Sequence, residues 1–150
     1  MKTLNQYIVE KLVLTKKQNY YTFFPKTRDE LKELIDKLIE ERGNEADLND
    51  IDTSKITDMS ELFFHSKFNG NISEWNVSKV TNMRSMFNDS QFNGDISCWD
   101  VSKVEHMVYM FYNSEFNGDI SKWKINKYCD KFGMFFDCPI KKEYKPKFSK

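Results

Sequence analysis

Two histidines, His65 and His106, and three cysteines, Cys98, Cys129 and Cys138, are the side chains in this 150-residue sequence best suited to nucleophilic, acid–base or metal chemistry. A metal site needs His and Cys at paired ligand spacings, and a nucleophile needs a base within hydrogen-bond reach. Neither pattern is present: there is no CxxC, no HExxH, no GxSxG and no phosphate-cradling glycine loop. An odd cysteine count without CxxC spacing also argues against a disulfide framework. The sequence therefore predicts no catalytic, cofactor-binding or metal-binding residue, and a protein that is not an enzyme.

The elements that carry these residues come from an internal repeat. Phe68-Asn69-Gly70-Asn71-Ile72-Ser73-Glu74-Trp75-Asn76-Val77 through Met83 returns with few changes from Phe92 to Met107, and its first half returns from Phe116 to Trp123. Trp75, Trp99 and Trp123 are 24 residues apart. An earlier copy runs through Leu48, Ile51, Thr53, Ile56 and Met59, and a degraded one through Ile120, Trp123, Ile125 and Met134. About four copies begin near 48, 72, 96 and 120. In this register His65 and His106 fall on exposed turn or helix-start positions, and Cys98 on an exposed one equivalent to Glu74 and Lys122. Cys138 takes the small position of Ser66, Ser90 and Ser114.

Ile72-x-x-Trp75-x-Val77-x-x-Val80-x-x-Met83 has leucine-rich-repeat spacing. Trp75 and Val77 alternate at period two, which predicts a short parallel strand over 74–78. Met83, Met86 and Phe87 lie three and four apart, which predicts a short helical turn, with Thr57, Thr81 and Glu105 at N-cap positions. The expected fold class is α/β: a short right-handed leucine-rich-repeat-like solenoid, with a parallel strand plus a short helix per turn and an N-terminal βα cap. One such unit cannot bury its own Trp and Met faces, but stacked units can.

The expected organisation is one structural domain in three parts. Residues 1–47 form the cap, with a helix over 4–12 (Leu4, Tyr7, Ile8 and Leu12 on one face), a strand over 20–24 and a helix over 28–42 ending at Gly43. Residues 48–140 form the repeats, and 141–150 a basic tail. No signal peptide and no transmembrane run is read, so the expected location is the cytoplasm of a bacterial or phage-infected cell.

The units Asp95-Ile96-Ser97-Cys98-Trp99-Asp100-Val101-Ser102-Lys103-Val104 and Val80-Thr81-Asn82-Met83-Arg84-Ser85-Met86-Phe87 resemble the BspA-type leucine-rich-repeat family, also known as DUF285 or the mycoplasma-lipoprotein repeat. The lead-in from Phe24 to Leu31 and from Asn44 to Asp52 is similar to the N-terminal cap of intracellular or phage-borne members. The resemblance covers nearly the whole chain. It implies a repeat stack, and for many relatives a surface or adhesion role.

If Trp and Val point inward, the residues between them point outward on the concave side. That column reads Asp50, Asp52 and Ser54, then Glu74, Asn76 and Ser78, then Cys98, Asp100 and Ser102, then Lys122, Lys124 and Asn126. It is either a solvated face or a protein-binding one; a register shift of one residue would turn it inward. The charge balance follows it: residues 51–119 hold 5 basic and 10 acidic groups, and residues 120–150 hold 9 and 3. The leading expectation is an intracellular module that binds another protein, in one version an inhibitor of a host enzyme carried by a phage or mobile element. The alternatives are nucleic-acid or acidic-partner binding through Lys127, Lys131, Lys141, Lys142, Lys145 and Lys147, with Tyr128 and Tyr144 interleaved, and surface adhesion. No cofactor and no membrane partner is expected.

Overall fold

A computed structural model describes residues 1–148, without the side chains of 13–19; the last two residues of the expected tail lie outside the described residues. Helix α1 spans Leu4–Tyr20. It begins in a capping box, in which the Thr3 hydroxyl accepts from Gln6 N and Gln6 Oε1 accepts from Thr3 N. It continues well past the expected end at residue 12, because no glycine or proline interrupts the chain before Pro25. Leu4, Tyr7, Ile8, Val9 and Leu12 are all exposed, so the apolar face expected over 4–12 is not packed on the core.

Helix α2 spans Arg28–Arg42. Thr27 caps it by accepting from Glu30 N, and Asp29 and Glu30 place negative charge at its first turn. Gly43 ends it at φ 88°, donating its N–H to the Ile39 carbonyl. Leu31, Ile35 and Leu38, on one stripe, are buried against the repeats.

The structure overturns the expected α/β leucine-rich-repeat solenoid. Among the described residues there are two α-helices, one 3-10 turn over Lys142–Tyr144, and no β-strand or sheet. The expected cap strand over 20–24 is absent: Tyr20 ends α1, and Phe23 alone makes one parallel bridge, to Ile51. The successive 24-residue copies do lie on one another, but isolated parallel bridges join them: Asp47 to Asn71, and Asp58 to Asn82 to His106 to Asp130.

The physical reason lies in the residues that flank the apolar positions. Asn76 Oδ1 accepts from Ser78 N at 3.1 Å, and Asp100 Oδ1 accepts from Ser102 N at 3.1 Å. Asn71, Asp95 and Asp119 accept in the same way from Ser73, Ser97 and Ser121. These side chains close local turns, which compete with an extended ladder. The expected strand over 74–78 is therefore a pair of turns, with Trp75 N donating to Ile72 O and Val80 N to Val77 O. Indoles supply the bonds between copies instead: Nε1 of Trp75, Trp99 and Trp123 donates to the carbonyls of Leu48, Ile72 and Ile96 at 3.0, 3.2 and 3.0 Å.

The expected short helix after Met83 fails for a different reason. Ser85 and Asp89 have φ of 51° and 53°, and Glu61, His65, Tyr109 and Asn113 repeat that geometry in the neighbouring copies. A residue in the left-handed region breaks the helical ladder. Met86 N therefore bonds back only to Met83 O, while the N–H groups of Met83, Ser85, Phe87 and Asp89 donate onward to His106, Val108, Met110 and Tyr112. Thr57, Thr81 and Glu105 cap no helix; Thr81 N donates to Thr57 O and Glu105 N to Thr81 O.

The core consists of ladders of like residues. Trp75 and Trp99 lie parallel with ring centroids 6.5 Å apart. Phe63, Phe87, Phe111 and Phe135 stack at 5.5, 5.5 and 5.8 Å, and Phe68, Phe92 and Phe116 at 6.2 and 6.3 Å. Each buried aromatic removes roughly 150–250 Å² from water, so these columns dominate the hydrophobic stabilisation. The Asn of each Phe-Asn-Gly triplet adds a polar ladder: Asn69 Oδ1 accepts from Asn93 N, Asn93 Oδ1 from Asn117 N, and Asn117 Oδ1 from Lys141 N.

Candidate functional site

Because Trp75, Trp99 and Trp123 are buried, the side chains between them stand outward even without a strand. Glu74, Asn76, Cys98, Asp100, Lys122 and Lys124 are all exposed on one face. Their positions are set from beneath: buried Asn49 accepts from Glu74 N through Oδ1 at 2.9 Å, and Thr53 Oγ1 donates to Asn76 O at 3.0 Å. Three shallow hollows of about 480–510 Å³ meet at Cys98 and bring these six residues together. Tyr20 and Tyr21, at the end of α1, line the same surface beside Glu74 and Asn76. Burial raises both tyrosine pKa values, and the carboxylates of Asp47, Glu74 and Asp50 (for Tyr20) and of Asp52 and Glu74 (for Tyr21) raise them further. Sequence reasoning placed these tyrosines in a strand and missed them; the signal would have been their position where α1 returns to the repeats.

Asp50 and Asp52, in the preceding copy, line none of these three hollows, although their carboxylates act on Tyr20 and Tyr21 at the edge of that face. Asp50 is half-buried and held by a two-pronged pair with Arg42, with Nη1 to Oδ1 and Nη2 to Oδ2 both at 3.0 Å. The Arg42 hydrogen bond is the main cause holding the Asp50 carboxyl below its usual value, against the opposing effect of burial. The Arg42 guanidinium also lies 5.7 Å from the Phe23 ring centroid. Asp52 Oδ1 accepts from Ser54 N, closing a turn. Hydrogen bonds from Ser102 and Ser97 likewise lower the carboxyls of Asp100 and Asp95, so both stay charged well below neutrality.

The basic residues gather at the other end. Lys127 lies over Tyr128 at 4.8 Å, Lys131 over Phe148 at 5.1 Å, Lys141 over Tyr144 at 5.2 Å and Lys145 over Phe135 at 5.2 Å. Lys131 and Lys145 line a hollow of about 260 Å³ with Phe135, Phe136 and Phe148, which shares no residue with the three hollows around Cys98. Lys142 lies in the 3-10 turn, and Lys147 is exposed beyond it.

The polar side chains singled out for chemistry are dispersed. His65 is exposed, with Nδ1 3.8 Å from Asp89 Oδ2, and His106 is exposed on the bridge between Asn82 and Asp130. Cys98 is exposed, Cys138 half-buried and Cys129 buried, and all three thiols are free. Burial pushes the Cys129 thiol up, which disfavours the thiolate. Among the described residues no group of three or more His, Cys, Asp or Glu is placed to hold a metal ion, and no helix is long and apolar enough to cross a membrane.

A family model described as "Mycoplasma protein of unknown function, DUF285" matches residues 30–147, from early in α2 to beyond the 3-10 turn. The chain belongs to the DUF285 family. Neither the curated proteins nor the solved structures hold a match to it. The match covers every 24-residue copy and the whole Glu74-to-Lys124 face, and leaves Tyr20 and Tyr21 outside it.

Proposed function

We propose that this DUF285 chain is a non-enzymatic, intracellular protein-binding module that occupies a partner's surface. The interface is the face of Glu74, Asn76, Cys98, Asp100, Lys122 and Lys124, with Tyr20 and Tyr21 at its edge. The observation that carries the reading is the continuity of this face. Acid at one end and base at the other stand on a backbone cross-linked by buried indole hydrogen bonds. A rigid face loses little side-chain and loop entropy on binding, and a graded charge selects the partner's orientation. The partner presents cationic groups to the Glu74–Asp100 end and anionic groups to the Lys122–Lys124 end.

The test is affinity capture from the native cell with three forms of the full chain: wild type, Glu74→Lys/Asp100→Lys and Lys122→Glu/Lys124→Glu. Wild type recovers one stoichiometric protein partner, and each charge reversal releases it. Capture of the same partner by all three forms refutes the face, and repeated failure of the wild type refutes the module. Recovery of the chain from the outer cell surface would point to adhesion instead.

A second reading rests on the stacked lysines. Lys127, Lys131, Lys141 and Lys145 over aromatic rings, beside exposed Tyr128, Phe132, Phe136 and Phe148, form a basic and aromatic end of the kind that holds single-stranded nucleic acid. A gel-shift series against salt tests it, since such binding weakens steeply as salt rises.

A further inference from the structure

The last copy of the repeat ends in an open edge. At every junction between copies, four N–H groups at alternate residues donate to carbonyls of the following copy. Met59, Glu61, Phe63 and His65 donate to Asn82, Arg84, Met86 and Asn88, at 2.8–3.0 Å. Met83, Ser85, Phe87 and Asp89 repeat this onto the third copy, and Met107, Tyr109, Phe111 and Asn113 onto the fourth. The same row of the fourth copy, Lys131 N, Gly133 N, Phe135 N and Asp137 N, has no acceptor among the described residues. We propose that this row docks an acidic polypeptide segment of a partner protein, which adds a further turn to the end of the stack.

The occupant is defined by what meets the row elsewhere. At each earlier junction it is a polypeptide turn whose carbonyls at every second residue all face one way, with left-handed residues at Ser85 and Asp89, or at Tyr109 and Asn113. The edge offers donors only. The carbonyls of Thr57, Thr81 and Glu105 accept from Thr81 N, Glu105 N and Asp130 N of the next copy, but their counterpart, the Cys129 carbonyl, accepts from Lys131 Nζ at 3.3 Å. An extended strand alternates N–H and C=O along its edge and would leave its own N–H groups unpaired here. A segment that bends through left-handed residues, which favours Gly, Asn or Asp, meets all four donors.

Charge makes the segment acidic. Lys131 and Lys145 line the hollow of about 260 Å³ beside the row, together with Gly133 and Phe135, and no acidic side chain lines it. The bonds of all three junctions run the same way along the stack, so their peptide dipoles add and the open end is the positive one.

Neither this chain nor a second copy of it fills the row. The tail closes the neighbouring arc, where Tyr144 O accepts from Ile120 N and Asn117 Oδ1 from Lys141 N, and leaves the four N–H groups unpaired. In a second copy, the matching carbonyl row at 58–64 lies at the end that α2 covers. There Arg28 Nε holds the Ser60 carbonyl at 2.8 Å, and Leu31, Ile35 and Leu38 are buried against the repeats. The hollow shares no residue with those around Cys98, so the edge is independent of the charged face proposed above. Lys131 and Lys145 also belong to the nucleic-acid reading, and the test separates the two.

The test is amide hydrogen exchange by NMR on the full chain, alone and with a capped peptide copying residues 58–66. That copy carries Asp58 and Glu61, and no earlier copy donates to its carbonyls. In the free chain the amides of Lys131, Gly133, Phe135 and Asp137 exchange at least about tenfold faster than those of Met107, Tyr109, Phe111 and Asn113. The peptide slows those four by at least about tenfold and binds at least about tenfold more tightly than a scrambled peptide of the same composition. Lys131→Glu/Lys145→Glu weakens it by at least about tenfold, with exchange at 107–113 unchanged as the check that the stack is intact. Slow exchange of the four amides in the free chain overturns the open row. Equal binding of the scrambled peptide overturns the carbonyl register. Protection elsewhere, or no binding up to about 5 mM, overturns the edge. A single-stranded oligothymidylate that protects the same four amides and binds more tightly than the peptide makes the site a nucleic-acid one and overturns the polypeptide occupant.

Discussion

Adding one carbon to each of three equivalent glycines discriminates sharply between the forces that hold the repeats together. Gly70, Gly94 and Gly118 end the three Phe-Asn-Gly triplets, and in each the Phe two residues earlier lies against the glycine. At Gly118 a Cβ would stand 2.8 Å from the Phe116 ring, and its three nearest neighbours are all atoms of that ring. At Gly94 it would stand 2.8 Å from Phe92 and also 3.1 Å from the Gly70 carbonyl oxygen. At Gly70 it would overlap the Ala46 carbonyl oxygen, which already accepts from Asn71 N at 3.0 Å. The three Phe rings are fully buried and cannot swing out to relieve the overlap.

Overpacking a ring costs about 1–3 kcal/mol, offset by about 0.4–1 kcal/mol from the stiffer unfolded chain. Gly118→Ala is therefore expected to destabilise by about 1–2 kcal/mol, and Gly94→Ala by somewhat more. Gly70→Ala must also shift backbone and weaken an inter-copy hydrogen bond, adding about 1 kcal/mol or more, for a total of about 3 kcal/mol. At about 2–4 °C per kcal/mol, the Tm falls by about 6–12 °C for Gly70→Ala and about 2–8 °C for Gly118→Ala. Thermal melts by circular dichroism, with urea midpoints as a second measure, read the order. Equal losses at the three sites, or the largest at Gly118, would refute the close-approach argument.

Trp99→Phe should destabilise by at least about 1–3 kcal/mol, because the buried Ile72 carbonyl loses its indole donor; a urea-unfolding loss well under 1 kcal/mol would contradict the role given to the indoles. The Asp50 carboxyl is held below its ordinary value by Arg42, so its contribution is present above the unfolded carboxyl pKa and is lost as pH falls below about 4. Asp50→Asn should flatten that part of the acid-stability profile, and an unchanged slope would show the pair to be inert. Iodoacetamide should label exposed Cys98 first and leave buried Cys129, with its raised thiol pKa, until the chain unfolds. Intact-mass and peptide analysis checks the order, and faster labelling of Cys129 would count against the described packing.

Much of the architecture was legible because it rests on one-dimensional features. Gly43 ends α2 in sequence by the same cap chemistry that ends it in space. The 24-residue spacing of Ile, Trp, Met and Phe is the spacing of the stacked ladders, since equivalent residues of neighbouring copies meet only when the period is constant. The secondary structure within each copy was misread because periodicity reports which side chains are buried, not how the backbone turns between them. Asn76, Asp100 and their equivalents look like outward residues of a strand, yet their side chains close turns onto the serines two residues later.

The exposed column was legible for the same reason as the core: residues between buried ones stand outward whichever backbone carries them. The capture of Asp50 by Arg42 was not, because an ion pair between residues 42 and 50 depends on where α2 packs. The sequence by itself determined the period, the core columns, the Gly43 end of α2 and the family, because each is encoded in residue type and spacing. The tertiary structure alone decided which carbonyls the indoles reach in the neighbouring copy, that Tyr20 and Tyr21 lie beside Glu74, and that Arg42 holds Asp50. Each of those depends on contacts between distant residues that no local pattern encodes.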